Sequence, residues 1–272
     1  MPYYLLVAAA LLFAGMLLAQ PWWVRRRRRL LRAQPFPHAW RQILQRRVPM
    51  VSRLPPDLQL QLKQHVQVFL AEKPFVGCQG LDITDEVRVT IASLACLPLL
   101  NRAEAYYPQL RQVLVYPGPF VVDRTRSDIA GVRQDLRQVL AGESWSEGQV
   151  ILSWQDVLAD AANPDAGRNV VIHEFAHQLD QETGVANGAP GLPSAQAYAR
   201  WSQVLGGAFA QLHRDIAEGG TPLLDAYGAS DPAEFFAVAS EAFYLRPQAL
   251  AHDQPALFDE LRRFYGVDPL AW

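Results

Sequence analysis

Residues 169–180 read NVVIHEFAHQLD, and they contain His173, Glu174 and His177 in the spacing H-E-x-x-H. On an α-helix, positions i and i+4 lie on one face, so both imidazoles can reach a single Zn²⁺. Glu174 lies about 100° further around such a helix, where its carboxylate can reach a water molecule at the metal rather than the metal itself. The stretch therefore predicts two zinc ligands and a general base within two turns.

The flanking residues favour a helix at this motif. Pro164 precedes it, Gly184 follows it, and no proline lies between residues 168 and 184. Apolar residues surround the two histidines, which is typical of a helix that buries one face. The alternative is a core helix whose histidines form only structural hydrogen bonds, and the choice depends on the partner residues elsewhere in the chain.

The charge of the 272-residue chain is unevenly distributed. The first 56 residues contain ten arginines and no acidic residue, whereas the other 216 residues carry a net charge of −12. An acidic domain has no general electrostatic attraction for nucleic acid, so we expect no direct nucleic-acid binding.

Residues 2–19 are nearly all apolar, and five consecutive arginines follow at 25–29. A helix over residues 3–24 would be roughly 33 Å long, enough to cross a bilayer, with aromatic residues at both ends. The positive-inside rule then predicts a single-pass anchor over residues 1–24, with the domain on the cytoplasmic side of the inner membrane. A cleaved signal peptide is the alternative, but its basic residues would precede the apolar segment rather than follow it.

The rest of the chain divides into a predicted linker and a predicted domain. Residues 25–55 are rich in arginine and proline, which indicates a juxtamembrane linker with one short helix, held against anionic headgroups. Residues 56–272 are predicted to form a mainly helical domain with a few short strands. The strand at 149–154 precedes the motif helix, and it can be either an internal strand or an edge that pairs with an extended peptide.

A catalytic zinc site usually has three protein ligands and one water, so a third ligand must lie elsewhere. The remaining acidic and histidine candidates are Asp180, His213, Glu234, Glu241 and His252. Asp180 lies three residues after His177 on the same face, where it can reach the metal or orient an imidazole from behind. His213 is predicted on the polar face of its helix, and His252 in a loop without a partner.

A second helix, DPAEFFAVASEAFYL at 231–245, carries two of these candidates on nearly the same face. It is apolar almost all round, which predicts a buried helix. A buried carboxylate is costly unless it is paired or bound to a metal. Glu234 is therefore favoured as the third ligand, and Glu241 as a hydrogen-bond partner of a ligand imidazole. The alternative places Glu234 at an exposed edge near the helix N-terminus.

Several stretches resemble the Mlc titration factor A (MtfA) family of zinc-dependent peptidases. The clearest are NVVIHEFAHQLD, NGAPGLP at 187–193 and AYGASDPAEFFAVASEAFY at 226–244. The resemblance covers about residues 55–270 and omits the apolar N-terminus. It implies an α+β, mainly helical, zincin-like fold of the gluzincin type with a small sheet, preceded in this chain by the predicted transmembrane helix.

The resemblance also implies the roles of particular residues. It makes His173, His177 and Glu234 the zinc ligands, Glu174 the general base, and Tyr227 a proton donor to the oxyanion. Some members have an additional histidine, in the stretch matching residues 131–144, that covers or ligates the metal in a resting form. This chain has no histidine between His65 and His173, so that form of self-inhibition is not carried over.

Two functions follow from the sequence. The first is hydrolysis of a peptide or protein substrate by a zinc-activated water. The second is a regulatory binding protein that sequesters a transcriptional repressor, as the family name implies, with the zinc mainly structural. Only three clear ligands are present, which favours the first, because structural zinc normally has four protein ligands.

Overall fold

A computed structural model of the chain describes residues 2–102, 105–127, 133–140, 142–145 and 148–272. The described helices are α1 Pro2–Ala33, α2 His38–Arg47, α3 Pro56–Glu72, α4 Asp85–Cys96, α5 Trp154–Ala162, α6 Val170–Asp180, α7 Ala195–Ala217, α8 Pro232–Leu245, α9 Pro247–Asp253 and α10 Pro255–Tyr265. The described strands are β1 Phe75–Gly77, β2 Gln112–Tyr116, β3 Phe120–Ser127, β4 Arg133–Leu140, β5 Gly142–Trp145 and β6 Gln149–Ser153. The predicted mainly helical α+β architecture with a small sheet is therefore confirmed, while its gluzincin type stays a prediction.

The main sheet has four strands in the order β1-β2-β6-β5. Strands β1, β2 and β6 are parallel, and β5 runs antiparallel to β6. Strands β3 and β4 form a separate antiparallel pair. The strand before the motif helix, β6, is thus internal, which answers the question that the sequence left open. The outer strand on that side is β5, which packs beside α6.

The motif helix α6 begins where the sequence predicts it. Asn169 caps its N-terminus, because its Oδ1 accepts a hydrogen bond from the backbone N–H of Ile172 at 3.1 Å. Phe175, on the buried side of the helix, packs edge-on against Tyr107 with the ring centroids 4.8 Å apart. The helix is therefore fixed in the core by its apolar face, while the histidines lie on another face.

The second helix of the site, α8, packs directly against α6. Pro232 occupies its first position, and Asp231 Oδ1 accepts hydrogen bonds from the backbone N–H groups of Ala233 and Glu234 at 2.9 and 3.0 Å. Phe235, Phe236 and Phe243 are buried on it, as predicted for a helix that is apolar almost all round. This cap holds the first turn of α8, which carries Glu234, in one orientation.

The segment predicted as a linker contributes to the hydrophobic core. Helix α1 continues to Ala33, α2 follows, and a set of apolar side chains is buried with the rest of the core: Phe36, Ile43, Leu44, Val48, Met50, Val51 and Leu54. Arg28 binds both carboxylate oxygens of Glu72 at 2.8 Å. Arg46 and Arg47 both donate to Glu86. These arginines therefore pair with the protein's own acidic residues rather than being free for lipid headgroups.

Residues 2–24 belong to α1, and several of their large apolar side chains are exposed, among them Leu11, Met16, Trp22 and Trp23. Among the residues that the structure describes, no helix is both long and apolar enough to cross a membrane. The transmembrane anchor predicted for residues 1–24 is not supported.

Candidate metal centre

His173 and His177 lie side by side on α6. Their Nε2 atoms are 3.2 Å apart, and their ring planes are inclined at 77° with centroids separated by 4.9 Å. Both side chains are mostly buried, with exposed fractions of 13% and 11%. The i, i+4 spacing thus directs two imidazole nitrogens to one point, as the helix geometry requires.

Glu234 reaches the same point from α8. Its Oε2 lies 3.0 Å from His173 Nε2 and 3.3 Å from His177 Nε2. His173, His177 and Glu234 are the group of potential metal ligands found among the described residues, with one ligand atom from each inside a span of 4.8 Å. The tertiary structure therefore brings together the three residues predicted as ligands, although 61 residues separate His173 from Glu234.

The three atoms fit a tetrahedral zinc site. Ligand atoms held about 2.0–2.1 Å from a zinc ion at tetrahedral angles lie about 3.3 Å from each other. The observed separations are 3.0, 3.2 and 3.3 Å. Two imidazoles and one carboxylate are also the donor set of many catalytic zinc sites, which keep a fourth position for water or substrate.

Glu241 forms a hydrogen bond with the nitrogen of His173 that faces away from Glu234 and His177. Its Oε1 accepts a hydrogen bond from His173 Nδ1 at 2.7 Å, and its Oε2 accepts one from the backbone N–H of Asn169. Because Nδ1 donates its proton to Glu241, the lone pair of the neutral ring is at Nε2 and points toward Glu234 and His177. Glu241 therefore sets the tautomer and the ring orientation that metal binding requires.

The electrostatics of the site favour a bound cation. Burial lowers the pKa of His173, but hydrogen bonds to Glu234 and Glu241 outweigh it, and the net result is a pKa raised well above the usual value. Burial raises the pKa of Glu234, but the two imidazoles outweigh it and hold this pKa far below its usual range. Positive charge at this point, from a proton or a metal ion, is therefore stabilised.

Glu174 and Tyr227 line one cavity of about 710 Å³, called the cleft below, together with His173. Glu174 is 4% exposed. Tyr227 lies on a short 3₁₀ turn, Ala226–Ala229, and its hydroxyl donates a hydrogen bond to Glu234 Oε1 at 3.2 Å. A buried carboxylate and a tyrosine hydroxyl thus lie on the walls of the cavity that His173 also lines.

Asp180 is fully buried at the C-terminal end of α6, and it bonds to a loop rather than to an imidazole. Its Oδ2 accepts a hydrogen bond from the backbone N–H of Gly188 at 2.7 Å. Gly188 has a φ of +78°, and a side chain there would collide with the carbonyl of Pro232, in the first turn of α8. Asp180 therefore holds the loop that packs against the helix carrying Glu234.

The other histidine candidates lie away from this group. His213 is exposed on α7, with its ring edge-on to Phe209, and His252 is exposed on α9. Part of the 131–144 stretch lies outside the described residues, so the prediction that this stretch supplies no histidine to cover the metal rests on the sequence alone.

Sequence reasoning missed the roles of Asn169 and Gly188. Asn169 caps α6 and donates its backbone N–H to Glu241, whereas Gly188 links Asp180 to α8. An asparagine just before an apolar helix and an Asn-Gly pair are the local signals that could have indicated a cap and a turn.

The chain is similar to known proteins over most of its length. The family described as glucose-regulated metallo-peptidase M90 matches residues 22–266. An uncharacterized protein of Synechocystis sp. is 39% identical over 238 residues, covering 87% of this chain and 86% of that protein. A protein of Klebsiella pneumoniae named Mlc titration factor A is 38% identical over 234 residues, covering 85% and 86%.

A protein of the same name from Escherichia fergusonii is 38% identical over 226 residues, covering 82% of this chain and 84% of that protein. The family match extends over most of the chain and includes both helices that form the histidine–glutamate cluster. It also begins within the N-terminal helix α1, well before residue 56. The chain therefore belongs to the M90 family of metallopeptidases, together with proteins named Mlc titration factor A.

Proposed function

We propose that the protein is a zinc-dependent peptidase that hydrolyses peptide bonds in a peptide or protein substrate. One observation carries this proposal: His173 Nε2, His177 Nε2 and Glu234 Oε2 form a triangle with tetrahedral-edge separations, beside the cleft that contains Glu174. Membership of a metallopeptidase family supports the reaction class. His173, His177 and Glu234 would hold the metal.

The roles of the cleft residues follow from their positions. A zinc ion bound here supplies Lewis acidity toward the scissile carbonyl and lowers the pKa of water. Glu174 takes the proton from the attacking water and delivers it to the leaving amine. Tyr227 turns its hydroxyl from Glu234, with which it forms a hydrogen bond of 3.2 Å, to the oxygen that gains charge.

Exchanging Glu174 for glutamine tests this proposal. We expect Glu174→Gln in the full chain to retain zinc, because the three proposed ligands remain, and to lose about 10²- to 10⁴-fold in turnover, the usual contribution of a general base. The measurement is zinc content per chain, combined with digestion of a peptide library. Glu182→Gln is a matched control, because Glu182 lies just after α6 and outside the cleft lining. Turnover of Glu174→Gln at the wild-type rate would refute the assignment.

A second candidate function is binding of a regulatory protein. The observation that favours it is the name Mlc titration factor A, borne by relatives that are 38% identical to this chain. Partner binding and the downstream effect should both be measured with and without a chelator. If the effect persists without zinc while the partner stays bound, sequestration is the function and zinc is not required for it. If chelation abolishes the effect and binding survives, hydrolysis is the function.

The cytoplasmic location of the domain stays a prediction of the sequence. Protease treatment of spheroplasts that produce the full chain tests it, because a domain on the cytoplasmic side is protected until the membrane is lysed.

A further inference from the structure

Two arginines line the cleft, and their surroundings differ. Arg168 is 61% exposed in its side chain and lies 3.5 Å from Asp160 Oδ1. Arg246 is half-buried at the C-terminal end of α8. Within the described part of the chain, its guanidinium has no carboxylate within 4.0 Å and donates no hydrogen bond. Arg246 therefore lines the cleft with a guanidinium that forms no ion pair within the described residues.

Three carboxylates line the cleft: Glu174 is the proposed general base, and the other two accept hydrogen bonds from groups other than Arg246. Glu241 accepts hydrogen bonds from His173 and from the backbone of Asn169. Asp225 Oδ1 accepts the backbone N–H of Tyr227 at 2.8 Å. A guanidinium in a partly desolvated cavity is stabilised by an anion, and its planar fork matches a carboxylate. The guanidinium of Arg246 is therefore suited to a carboxylate that arrives with a ligand.

Gly167 gives Arg246 its position. Its φ is +76°, and a side chain at this residue would collide with Cδ of Arg246, while Nη1 lies 3.6 Å from the same point. The stem of Arg246 therefore crosses the backbone just after the 3₁₀ turn Pro164–Ala166, two residues before α6 is capped. Gly167 thus permits an approach that a Cβ would block.

A simpler explanation is that Arg246 only compensates the negative end of α8. A capping arginine would donate to the last carbonyls of the helix, and among the described contacts it is the backbone N–H of Arg246 that bonds Ala242 O. The guanidinium instead lies beside Gly167 in the wall of the cleft. The position of the guanidinium therefore favours the binding of a ligand over the capping of α8.

We propose that Arg246 binds a carboxylate of the peptide substrate, supplied by an acidic side chain or by the C-terminus, and so selects peptides that carry a carboxylate near the cleaved bond. This inference rests on the proposed peptidase function, because it assigns the substrate class of the same cleft.

The test measures peptide binding to the full-length Glu174→Gln protein by fluorescence anisotropy. The labelled peptides are an otherwise neutral peptide with one glutamate, the same peptide with glutamine, and each of these with a free or an amidated C-terminus. Arg246→Met keeps the apolar stem and removes the fork, and we expect at least about tenfold weaker binding of the carboxylate peptides, the loss typical of a charged hydrogen bond. The neutral amidated peptide should change less than twofold.

Two further variants make the result specific. Arg168→Met removes the same charge from the same cleft, and it should change binding less than twofold because that side chain already has a carboxylate partner. Arg246→Lys keeps the charge without the fork and should give intermediate binding. If Arg246→Met lowers the unfolding temperature of the Glu174→Gln protein, the binding of carboxylate peptides to the Arg246→Lys variant, compared with the Glu174→Gln protein that retains Arg246, decides the question.

Comparing the glutamate peptide with the glutamine peptide, and the free C-terminus with the amidated one, identifies which carboxylate Arg246 binds. The proposal is overturned if each of the four peptides binds equally to the Glu174→Gln protein and to the same protein carrying Arg246→Met, and also if Arg168→Met causes an equal loss. Failure of the peptidase function would be seen separately, as an absence of zinc-dependent cleavage by the chain with Glu174 intact.

Discussion

The two ends of α6 each rest on a buried carboxylate, and the two carboxylates differ in their partners. Glu241 is 4% exposed and receives the backbone N–H of Asn169 at the N-terminal end. Asp180 is fully buried and receives the backbone N–H of Gly188 at the C-terminal end. Each therefore fixes one end of the helix that carries the histidines, and each links it to α8, directly or through the loop.

The two carboxylates differ in the hydrogen bonding of their second oxygen atom. Oε1 of Glu241 accepts a hydrogen bond from Nδ1 of His173. No hydrogen bond reaches Oδ1 of Asp180 from the described residues. Burial raises the pKa of Asp180, and the N–H of Gly188 opposes it only in part. A buried carboxylate therefore sets the tautomer of a proposed ligand, His173, at the N-terminal end of α6. At the C-terminal end, a buried carboxylate holds the backbone of a loop.

The largest expected effect comes from removing the carboxylate at the N-terminal end. Glu241→Ala leaves His173 Nδ1 and the N–H of Asn169 without their acceptor, so we expect zinc affinity to fall by about 10- to 100-fold. Competition with a chelator of known affinity measures this change. Glu241→Gln keeps an acceptor oxygen and should lose less. Unchanged affinity in Glu241→Ala would contradict the supporting role.

At the C-terminal end we expect an effect on stability rather than on metal affinity. Asp180→Ala leaves the N–H of Gly188 unpaired in a buried site, which should cost about 1–3 kcal/mol of unfolding free energy. Denaturant titration measures it, and zinc affinity is determined in the same samples. A loss of zinc affinity equal to that of Glu241→Ala would show that the two ends do not differ as proposed.

The smallest effect is the pH dependence of the exchange Asp180→Asn, which keeps the acceptor oxygen. A raised folded pKa means that the stabilising contribution of Asp180 is present below its unfolded value, near 3.8, and is lost as pH rises through the folded pKa. The stability of Asp180→Asn relative to wild type should therefore increase as pH rises above 4 and then level off. A difference that is constant across this range would show that the pKa of Asp180 is not raised.

The sequence predicted much of the site because its signals are local. The spacing of His173 and His177 specifies one helix face, and Asp231 with Pro232 marks the start of α8. The placement of Glu234 and Glu241 could be inferred only indirectly, from the cost of a carboxylate on an apolar helix. Their contacts with His173 depend on how α8 packs against α6.

The predicted transmembrane anchor is not supported, and the residues that follow it show that composition and burial are different quantities. Residues 25–55 have the arginines and prolines of a linker, yet Leu44, Val48 and Leu54 are buried in the core, and Arg28 pairs with Glu72. A charge run indicates a partner of opposite sign, but it does not say whether that partner is a lipid or the protein itself.

The sequence alone determined that two imidazoles and a carboxylate share one helix, because 3.6 residues per turn place positions i and i+4 together in any fold. Only the tertiary structure decided that Glu234 completes the triangle, that Glu241 orients His173, that Asp180 bonds to a loop, and that Arg246 faces the cleft. One of these contacts, between His173 and Glu241, joins residues 68 positions apart. Their geometry is set by the packing of two buried helices and not by any local preference of the chain.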